Sequence, residues 1–340
     1  MTAMVYARIV STGIYVPRNV YPIEEIARIK GLPLDEGMVE RTGVRVKCVS
    51  SPDETPAYMA AEACKMALRR AGVSPEEVDL IIVATDTPEY ITPPTAAKVH
   101  KLLGAEEKLT GIFDVNASCA GPAVSLAIAS KFIMTEPETY RNVLVAGVYG
   151  MTRFLKWENP AEILFSDGAG AALLQASDEP GFLASKVSGT GKYYDYWGVY
   201  VGGAMAPCNS NVSRVPELRE VAEPREQYLR LLKPYPPVNY WYWPELVRDV
   251  VSKIGKRVED IDLVIFTQVR LRTIMKVMSE LKLPPEKTHW VMHKYGYTGS
   301  ACIFQALHDA VEEGKLKRGS LLVMVSSGVG LQMASVAFRW

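Results

Sequence analysis

Cys119 is the residue of this sequence whose type and surroundings are best suited to covalent chemistry. It lies in the segment DVNASCAGPAVSL, where a predicted strand turns into a predicted helix. A thiol at the start of a helix lies near the positive end of the helix dipole, which lowers its pKa and favours the thiolate. Small residues surround the sulfur and would let a substrate approach it. The pattern is typical of a nucleophile, and also of a small cysteine packed at the end of a strand.

The other scarce reactive residues lack this setting. The chain has five cysteines and four histidines, and Cys48, Cys64, Cys208 and Cys302 do not lie at a comparable turn. Cys64 and Cys302 are predicted to pack within helices. The cysteines are too few and too scattered for a disulfide framework, and no CxxC pair indicates zinc. We therefore expect free thiols, no metal site and a cytoplasmic, reducing environment.

Charge and composition exclude several classes of protein. The 340 residues include 38 basic and 38 acidic side chains, and 48% of the residues are hydrophobic. Such a chain is neither intrinsically disordered nor a basic nucleic-acid binder. The N-terminus lacks the basic segment and long apolar run of a signal peptide. The apolar stretch from Leu321 to Phe338 is interrupted by serine and glycine, so it predicts a buried strand pair and no membrane span.

The elements that must position Cys119 alternate between strand and helix. The predicted helices are 54–71, 95–103 and 120–134, and the predicted strands are 78–85, 108–115, 142–148 and 169–174. The helix after Cys119 is apolar on all sides for most of its length, as expected of a helix inside a protein. The alternation favours an α/β fold with a substantial parallel sheet.

The second half of the chain repeats the pattern of the first. Three segments of the first half have similar counterparts, in the same order, in the second half. Residues 74–85 resemble 255–268, residues 119–123 (CAGPA) resemble 297–301 (YTGSA), and residues 141–150 resemble 318–328. The shared order and spacing predict an internal duplication, with stacked halves at 1–175 and 176–340. A period of half the chain is far too long for a solenoid. The alternative is that any α/β protein contains similar strand–helix pairs.

Residues of about 193–243 fit neither copy and form an insertion rich in tyrosine, tryptophan and proline. Such aromatic residues usually cap a core or line a subunit contact, and they can also shape a substrate tunnel. The composition alone favours the structural interpretation, because buried aromatic side chains are common without any ligand.

Six segments along nearly the whole chain carry a resemblance to a known family. They are 13–27 (GIYVPRNVYPIEEIA), 41–45 (RTGVR), 84–96 (ATDTPEYITPPTA), 114–121 (DVNASCAG), 165–174 (FSDGAGAALL) and the closing segment 317–340. On these motifs the chain resembles the thiolase superfamily, most closely β-ketoacyl-ACP synthase III, where ACP is the acyl-carrier protein. The resemblance implies a thiolase-like α/β fold. In this fold two duplicated βαβαβαββ halves stack as a five-layer αβαβα core.

The resemblance also implies acyl transfer through a covalent thioester on Cys119. A CoA or ACP thioester would donate its acyl group to the sulfur. A second thioester, typically a malonyl unit, would then lose carbon dioxide and attack as a carbanion. The backbone N–H groups of Cys119 and Val329 would hold the oxyanion, and valine in place of the family's usual glycine keeps that donor. The substrates would be acyl-CoA or acyl-ACP, with no permanently bound cofactor.

The chain departs from the family at the two other catalytic positions. Thr267 stands where a histidine is expected, Arg270 replaces the asparagine of the same motif, and Tyr297 replaces the catalytic asparagine. Hydroxyl groups can still donate hydrogen bonds, but neither has the near-neutral pKa of histidine. Losing one such donor costs about a hundredfold or more in rate, which places ordinary decarboxylative condensation in question. His293, four residues before Tyr297, could point towards the same cavity as a general base, or it could be structural.

Asp86 offers a further carboxylate at the end of a predicted strand. HMG-CoA synthases, a sister family, carry a catalytic glutamate at this place and a histidine where Thr267 lies. A carboxylate near an acyl-cysteine could act as a general base. The alternative is an aspartate that starts the turn TDTPEY, where this residue type is favoured.

Three basic residues are expected to bind the CoA or carrier-protein end of the substrate. Arg41 matches a family position near the mouth of the pantetheine tunnel, and Arg153 and Lys156 could meet phosphates. Each could equally be a solvated surface charge.

Together these features predict an acyl-thioester-dependent acyltransferase or condensing enzyme. The open alternatives are acyl transfer to a hydroxyl or amine, an HMG-CoA-synthase-like condensation that uses Asp86, and a weakly active partner subunit of a hetero-complex. The resemblance implies a homodimer with a continuous sheet across its two-fold axis. We expect no nucleic acid and no membrane as partners.

Overall fold

The computed structural model describes residues 5–204, 206–207 and 226–340. Its strands are β1 (Tyr6–Tyr15), β2 (Asn19–Pro22), β3 (Val46–Val49), β4 (Leu80–Ala84), β5 (Gly111–Val115), β6 (Asn142–Tyr149), β7 (Gly168–Ser177), β8 (Phe182–Tyr193), β9 (Trp197–Gly198), β10 (Arg230–Leu231), β11 (Leu263–Phe266), β12 (Leu321–Gly328) and β13 (Gly330–Arg339). Its helices are α1 (Ile23–Lys30), α2 (Glu36–Thr42), α3 (Pro56–Ala71), α4 (Thr95–Leu103), α5 (Gly121–Thr135), α6 (Val238–Ser252), α7 (Leu271–Glu280), α8 (Met292–Tyr295) and α9 (Cys302–Glu312). Each strand and helix predicted for the first half is present, with ends that differ by three residues or fewer.

Local sequence signals set the ends of these elements. At the start of α3, the Thr55 side chain accepts a hydrogen bond from the backbone N–H of Tyr58, and Pro56 occupies the first turn. The helix ends at Gly72, whose φ of 66° lies in the left-handed region that favours glycine. Strand β4 is an unbroken apolar run, and all five of its residues are buried. A strand of this kind must be covered on both faces.

Two sheets carry the fold. The first has the strand order β1-β7-β6-β4-β5, and the second has the order β8-β13-β12-β11. In the first sheet β4 is parallel to both β5 and β6, whereas β7 is antiparallel to β6 and to β1. In the second sheet β11 is parallel to β12, and β13 is antiparallel to β12 and to β8. The predicted strand pair near the C-terminus is thus confirmed as the hairpin β12–β13.

The second sheet repeats the first in matching detail. Asp79, just before β4, exchanges backbone and side-chain hydrogen bonds with Asn142 at the start of β6. Asp262, just before β11, makes the same pair of contacts with Leu321 at the start of β12. A single parallel bridge between Val264 and Thr288 stands where β5 lies in the first sheet. The strand orders and these contacts agree with the predicted duplication.

The layers follow from which helices contact which strands. Helices α3 and α4 cover the outer face of the first sheet, and α6 and α7 pack together outside the second, where α6 contacts its strands. Helices α5 and α9 lie between, and α5 contacts strands of both sheets. This arrangement confirms the predicted five-layer αβαβα core.

Helix α5 is the central helix of that core. Residues 118–135 are long and apolar enough to cross a membrane by length and composition, but 61% of this stretch is buried inside the protein. Its burial between two sheets explains why it is apolar on all sides.

The division at 175 and 176 stays a prediction, although the break falls near the short connection between β7 and β8. The aromatic insertion is described only in part. Its described residues form the short pair β9–β10 and the first turns of α6, so the helical layer of the second half begins inside the predicted insertion. Cys208 lies outside the described residues.

Candidate active site

Cys119 lies on a tight turn between β5 and α5. The preceding residue, Ser118, has a φ of 47°, which is unusual for a residue other than glycine. The Asn116 side chain accepts a hydrogen bond from the Ser118 N–H, and the Gly121 N–H donates to the Ser118 carbonyl. The turn therefore fixes the cysteine at the entrance to the buried helix, with only 5% of its surface exposed. Strain at such a position is common where a reacting side chain must be aimed.

The sulfur faces a cavity of about 310 Å³. Both halves of the chain and the aromatic insertion contribute its walls. The residues that line it include Asp86, Asn116, Ser118, Cys119, Tyr149, Met151, Phe165, Trp197, Val199, Leu229, Tyr235, Pro237, Thr267, Val269, Arg270, Thr273, Tyr297, Gly328 and Val329. Four of the predicted site residues in addition to the cysteine, namely Asp86, Thr267, Tyr297 and Val329, are thus brought together.

The pKa of the Cys119 thiol is shifted in the direction opposite to the expected one. Burial raises it well above the ordinary value, and the nearby charge of Asp86 raises it further. A hydrogen bond from the Tyr297 hydroxyl favours the thiolate but is outweighed. The loss of water around a sulfur in a closed cavity outweighs the effect of the helix terminus on the pKa of this thiol. The resting thiol is therefore protonated and needs a base to become a nucleophile.

Tyr297 lies directly against that sulfur. Its hydroxyl is hydrogen-bonded to Cys119, and burial raises its own pKa well above the ordinary value, so it remains a proton donor. Its ring packs against Phe165 at 5.7 Å and Tyr149 at 6.2 Å between centroids. The backbone N–H of Tyr297 donates to the Leu164 carbonyl at 3.1 Å. Its carbonyl accepts from the Ser166 N–H at 2.8 Å.

Asp86 supplies a carboxylate to the same cavity. Burial raises its pKa from 3.8 to about 6. The Ser300 hydroxyl lies 3.2 Å from Asp86 Oδ1 and 3.3 Å from the Ser118 carbonyl oxygen, so it links this carboxylate to the Cys119 turn. A carboxylate with this pKa is mostly ionised at neutral pH yet close enough to it to exchange protons. The turn-starting interpretation of Asp86 does not account for its position beside the thiol.

Thr267 lines the cavity, but its hydroxyl is committed to the protein. Thr267 Oγ1 accepts the Ser327 N–H at 2.8 Å and donates to the Ser327 carbonyl at 3.5 Å. The backbone N–H of Thr267 donates to Val325 of the adjacent strand. The firm contact is the one in which Thr267 accepts, since the donated bond is long for a hydroxyl. Thr267 therefore satisfies a backbone N–H of the β11–β12 edge.

The two predicted oxyanion donors lie close together. Val329 forms the turn between β12 and β13, and it lines the cavity with Cys119. Gly328 packs so tightly on the nucleophile turn that a Cβ placed there would lie 2.7 Å from the Cys119 nitrogen. This contact explains the requirement for glycine at position 328 and brings the two backbone segments together.

His293 does not line this cavity, and the expectation that it points there is corrected. It lies on α8 and lines a separate cavity with Arg45, His289 and Lys315. Gly296, with a φ of 70°, turns the chain between α8 and Tyr297. His293 and Tyr297 therefore line different cavities although they are only four residues apart. No histidine is present among the described residues that line the Cys119 cavity.

His289 belongs to an ion-pair network in that second cavity. His289, Asp309 and Glu313 lie close enough together to suggest a cation site. Lys294, however, contacts Asp309 at 2.7 Å and Glu313 at 3.0 Å, and Lys315 contacts His289 at 2.7 Å. These two ammonium groups already occupy the space a metal ion would need.

Of the three predicted phosphate-binding residues, Arg41 alone lines a cavity that adjoins the one at Cys119 and is called the mouth below; its guanidinium pairs with Asp35 at 2.9 Å. Arg41 lines an adjoining cavity that shares Pro237, Arg270 and Thr273 with the Cys119 cavity. Arg153 instead donates to the carbonyl oxygens of Ser51 and Glu54. Neither Arg153 nor Lys156 lines either cavity, so both expectations are corrected.

Lys156 pairs with acidic residues elsewhere, contacting Glu158 at 3.1 Å and Glu226 at 3.5 Å. Sequence reasoning missed Arg272 and Lys276, which join Arg41 and Arg270 around the mouth. The signal was present as three basic residues within the segment RLRTIMK at the start of α7, but its position relative to Cys119 required the fold.

The aromatic insertion has both of the roles considered for it. Trp197 and Tyr235 line the cavity, while their rings pack on each other at 5.4 Å between centroids. The Tyr235 hydroxyl also accepts a hydrogen bond from the Gly330 N–H at 3.1 Å, beside Val329. The insertion thus packs as a structural cluster and closes one wall of the cavity. Cys64 and Cys302 are fully buried, as predicted for packing residues.

Two family profiles match the chain. Residues 113–191 match 3-oxoacyl-[acyl-carrier-protein (ACP)] synthase III, and residues 251–340 match the C-terminal part of the same family. The first match contains the Cys119 turn, and the second contains Thr267, Tyr297 and Val329.

Full-length relatives and solved structures agree with these matches. The chain is 35% identical to a β-ketoacyl-[acyl-carrier-protein] synthase III of Coxiella burnetii, over 99% of this chain and 100% of that protein. It resembles the crystal structure of 3-oxoacyl-[acyl-carrier-protein] synthase III from Aquifex aeolicus, with a TM-score of 0.84, 33% identity, and 98% and 100% of the two chains covered. It also resembles a priming β-ketosynthase from the R1128 polyketide biosynthetic pathway, with a TM-score of 0.84, 27% identity, and 98% and 96% coverage.

Proposed function

The chain belongs to the 3-oxoacyl-[acyl-carrier-protein] synthase III family, and on that premise we propose that it is a thioester-dependent condensing enzyme whose acyl carrier is Cys119. One observation carries the proposal. The thiol lies at a cavity that also contains a proton donor, a carboxylate and two backbone N–H groups on adjoining turns. These are the groups that acyl transfer to sulfur requires.

The first step transfers the acyl group to the enzyme. Asp86 accepts the thiol proton while the Cys119 sulfur bonds to the carbonyl carbon of an acyl-CoA or acyl-ACP. The N–H groups of Cys119 and Val329 stabilise the resulting oxyanion. The bond from the acyl carbon to the donor's sulfur then breaks, and the departing thiolate takes the proton from Asp86. The raised pKa of Asp86, about 6, supports both halves of this exchange.

The second step joins the acyl group to a carbon nucleophile. A malonyl-type thioester loses carbon dioxide, and the Tyr297 hydroxyl donates a hydrogen bond to the thioester oxygen on which negative charge develops. The carbanion attacks the acyl carbon, the carbon–sulfur bond to Cys119 breaks, and the resulting thiolate takes up a proton from solvent, which Asp86 can relay. Tyr297 is the proposed side-chain donor for this step because its raised pKa keeps its hydroxyl protonated beside the sulfur.

A second candidate reaction uses Asp86 as the base towards the acceptor. The partly buried carboxylate beside the thiol favours it, together with the lack of a histidine among the described lining residues. Asp86 would take the proton of an acceptor hydroxyl or amine, or the α-proton of an acetyl-type thioester as in an HMG-CoA-synthase-like condensation. No decarboxylation is then required.

The basic mouth supports recognition of the phosphate-bearing end of CoA or of a carrier protein. Arg41, Arg270, Arg272 and Lys276 line a cavity that shares Pro237, Arg270 and Thr273 with the one at Cys119. Arginine is well suited to phosphate because its guanidinium donates two parallel hydrogen bonds. The pantetheine arm would pass between these residues and the sulfur.

We propose that the chain acts as a homodimer in the cytoplasm. Strand β5 forms the outer edge of the five-stranded sheet, so pairing of β5 with its copy would give one continuous sheet. The free thiols of the described cysteines fit a reducing compartment. Light scattering during gel filtration tests the dimer, and a mass of one chain would contradict it.

The decisive experiment follows the acyl group by intact mass. The protein is incubated with a panel of acyl-CoAs and acyl-ACPs, and an adduct of the acyl mass is expected with at least one donor. The adduct should disappear in Cys119→Ala and persist in Cys64→Ala, since Cys64 is buried in α3. No adduct with any donor would contradict the proposal and favour a weakly active subunit of a hetero-complex.

The acceptor is tested next on the acylated protein. Addition of malonyl-CoA or malonyl-ACP should release carbon dioxide and lengthen the product by two carbons. Loss of the adduct to a hydroxyl or amine acceptor, without carbon dioxide from malonyl donors, would replace the decarboxylating step by the second candidate reaction.

A further inference from the structure

Lys47 is a fully buried lysine that the reaction steps above do not use. It lies on β3, and 0% of its surface is exposed. Its ammonium group donates to the carbonyl oxygens of Glu162 at 2.9 Å, Ile163 at 3.4 Å and Phe165. The Trp157 ring covers it, with 4.4 Å from Nζ to the ring centroid. Burying a lysine is costly, so a lysine that makes these contacts is held for a reason beyond packing.

The segment held by Lys47 is the one on which Tyr297 rests. The backbone of Tyr297 exchanges hydrogen bonds with Leu164 and Ser166, on either side of the Phe165 carbonyl that Lys47 contacts. The Phe165 ring also packs on the Tyr297 ring. A continuous line of contacts therefore runs from Lys47 through residues 162–166 to the tyrosine whose hydroxyl meets the Cys119 sulfur.

Other contacts also tie this segment to β3. The Cys48 N–H donates to Ser166 Oγ at 3.2 Å, and the Asp167 N–H donates to the Cys48 carbonyl at 2.9 Å. Lys47 adds the hydrogen bonds to the carbonyl oxygens of residues 162–165. A Cβ on Gly296 would lie 2.1 Å from Ser166 Oγ. Gly296, just before Tyr297, is therefore in close contact with residues 164–166, and the position of one backbone segment depends on that of the other. A shift of the segment would carry the tyrosine ring with it.

We propose that Lys47 is a positioning residue that holds Tyr297 against Cys119 through residues 162–165. The Lys47 nitrogen suits the task because it lies within hydrogen-bond distance of three carbonyl oxygens, with three N–H donors as the ammonium and two as the neutral amine. Burial lowers the pKa of Lys47 to about 7, although the charges of Asp167 and Glu162 favour the ammonium form. Both forms are therefore populated at neutral pH, and both donate to these carbonyl oxygens.

The test uses the reactivity of the Cys119 thiol in the absence of any acyl donor. The proposal rests on the contact between Tyr297 and Cys119 in the proposed function. Alkylation by iodoacetamide reads that contact directly, so its outcome is independent of whether acyl transfer occurs. The hydrogen bond from Tyr297 favours the thiolate, and its loss should shift the pH midpoint of alkylation upward. At a fixed pH the rate should then fall about tenfold, as for a hydrogen bond to a charged group.

We expect Lys47→Met and Tyr297→Phe to give similar upward shifts, and the double variant to give no further shift. Lys47→Arg keeps the charge and the donors and should restore part of the wild-type profile. Ser11→Ala is the matched control, because Ser11 Oγ also donates to a buried carbonyl, that of Ala67 at 2.7 Å, away from the site. It should lower stability without moving the alkylation profile.

The proposal is overturned if Lys47→Met keeps the wild-type alkylation profile while only its stability falls. Full additivity with Tyr297→Phe would also overturn it, since the two residues would then act separately. If Lys47→Met does not fold, Lys47→Gln is measured instead. Its amide reaches fewer carbonyl oxygens and is expected to give a smaller shift of the same sign, and an unchanged profile would count against the proposal.

Discussion

The two halves of the molecule place equivalent turns at one cavity but equip them differently. In the first half, the turn before α5 carries Cys119 and the end of β4 leads to Asp86. In the second half, the turn before α9 carries Tyr297 and the end of β11 leads to Thr267. The first half thus supplies the thiol, which is the proposed nucleophile, and the carboxylate, and the second supplies hydroxyl groups.

This difference teaches how a duplicated scaffold can build one asymmetric site. Cys119 and Tyr297 occupy equivalent positions of the two halves, whereas Thr267 is equivalent to Ala84, and Asp86 lies two residues beyond that position. The family resemblance implies that the two hydroxyls of the second half replace a histidine and an asparagine. Proton transfer should therefore depend on the first half, and electrostatic stabilisation on the second.

The largest effect is expected from removal of the Cys119 thiol, the group that most distinguishes the first half from the second. Cys119→Ala should abolish the acyl adduct completely, because no other described cysteine lines the cavity. Intact mass after incubation with acyl-CoA measures it. The control is Cys302→Ala. Cys302 is a buried thiol at the start of α9, the helix of the second half that corresponds to α5, and its removal should leave the adduct unchanged. An adduct of equal yield in Cys119→Ala would end the assignment of the nucleophile to the first half.

Removal of the carboxylate should give the next largest effect. Asp86→Asn is expected to slow acylation about a hundredfold, as for loss of a positioned general base. The wild-type rate should rise with pH around a midpoint near 6, where Asp86 ionises, and this limb should vanish in the variant. Single-turnover acylation between pH 5 and 8 measures both. A limb that persists in Asp86→Asn would assign the base to another group.

Asp86 also predicts the pH dependence of stability. Its pKa is raised to about 6 on folding, so the folded state binds more protons than the unfolded state between about pH 4 and 6. The free energy of unfolding contributed by this group therefore falls as pH rises through that window. Above it, Asp86→Asn should be more stable than the wild type by up to about 3 kcal/mol, and near pH 4 the two should be alike. Denaturant unfolding at several pH values measures the difference, and equal stability at pH 7 would contradict it.

A smaller effect is expected from the hydroxyl of the second half. Tyr297→Phe removes the donor to the Cys119 sulfur and keeps the ring contacts with Phe165 and Tyr149. Acylation should slow about tenfold, since a hydrogen bond to a charged group is lost. Tyr149→Phe removes a different hydroxyl from the same wall and should have the smaller effect. Equal effects of the two variants would indicate that general polarity, and not the Tyr297 contact, matters.

Sequence reasoning grouped this site through the family resemblance, which supplied Asp86, Thr267, Tyr297 and Val329 beside Cys119. The structure brings them together because Cys119, Asp86, Thr267 and Val329 follow the ends of β5, β4, β11 and β12. Tyr297 instead follows the short helix α8, so no strand pattern in the sequence predicts its place.

The failures have physical causes that no local pattern reports. His293 was misplaced because a left-handed glycine reverses the chain between it and Tyr297. The pKa of Cys119 was predicted in the wrong direction because burial depends on residues distant in sequence. The contacts of Lys47 were not foreseen, because its partners at 162–165 lie more than a hundred positions away.

The smallest effect on chemistry is expected at Thr267, although the resemblance predicts that it stands at the position of a family histidine. Its hydroxyl is bonded to Ser327 of β12, so Thr267→Val leaves a buried N–H without an acceptor. Unfolding should become easier by about 1–3 kcal/mol, the usual cost of such a group, while the acylation rate stays near that of the wild type. The midpoint of denaturant unfolding and single-turnover acylation, measured on the same preparation, separate the two quantities. A variant that folds as stably as the wild type but acylates slowly would mean that Thr267 donates to the substrate, and the second half would then share in the chemistry that the comparison assigns to the first.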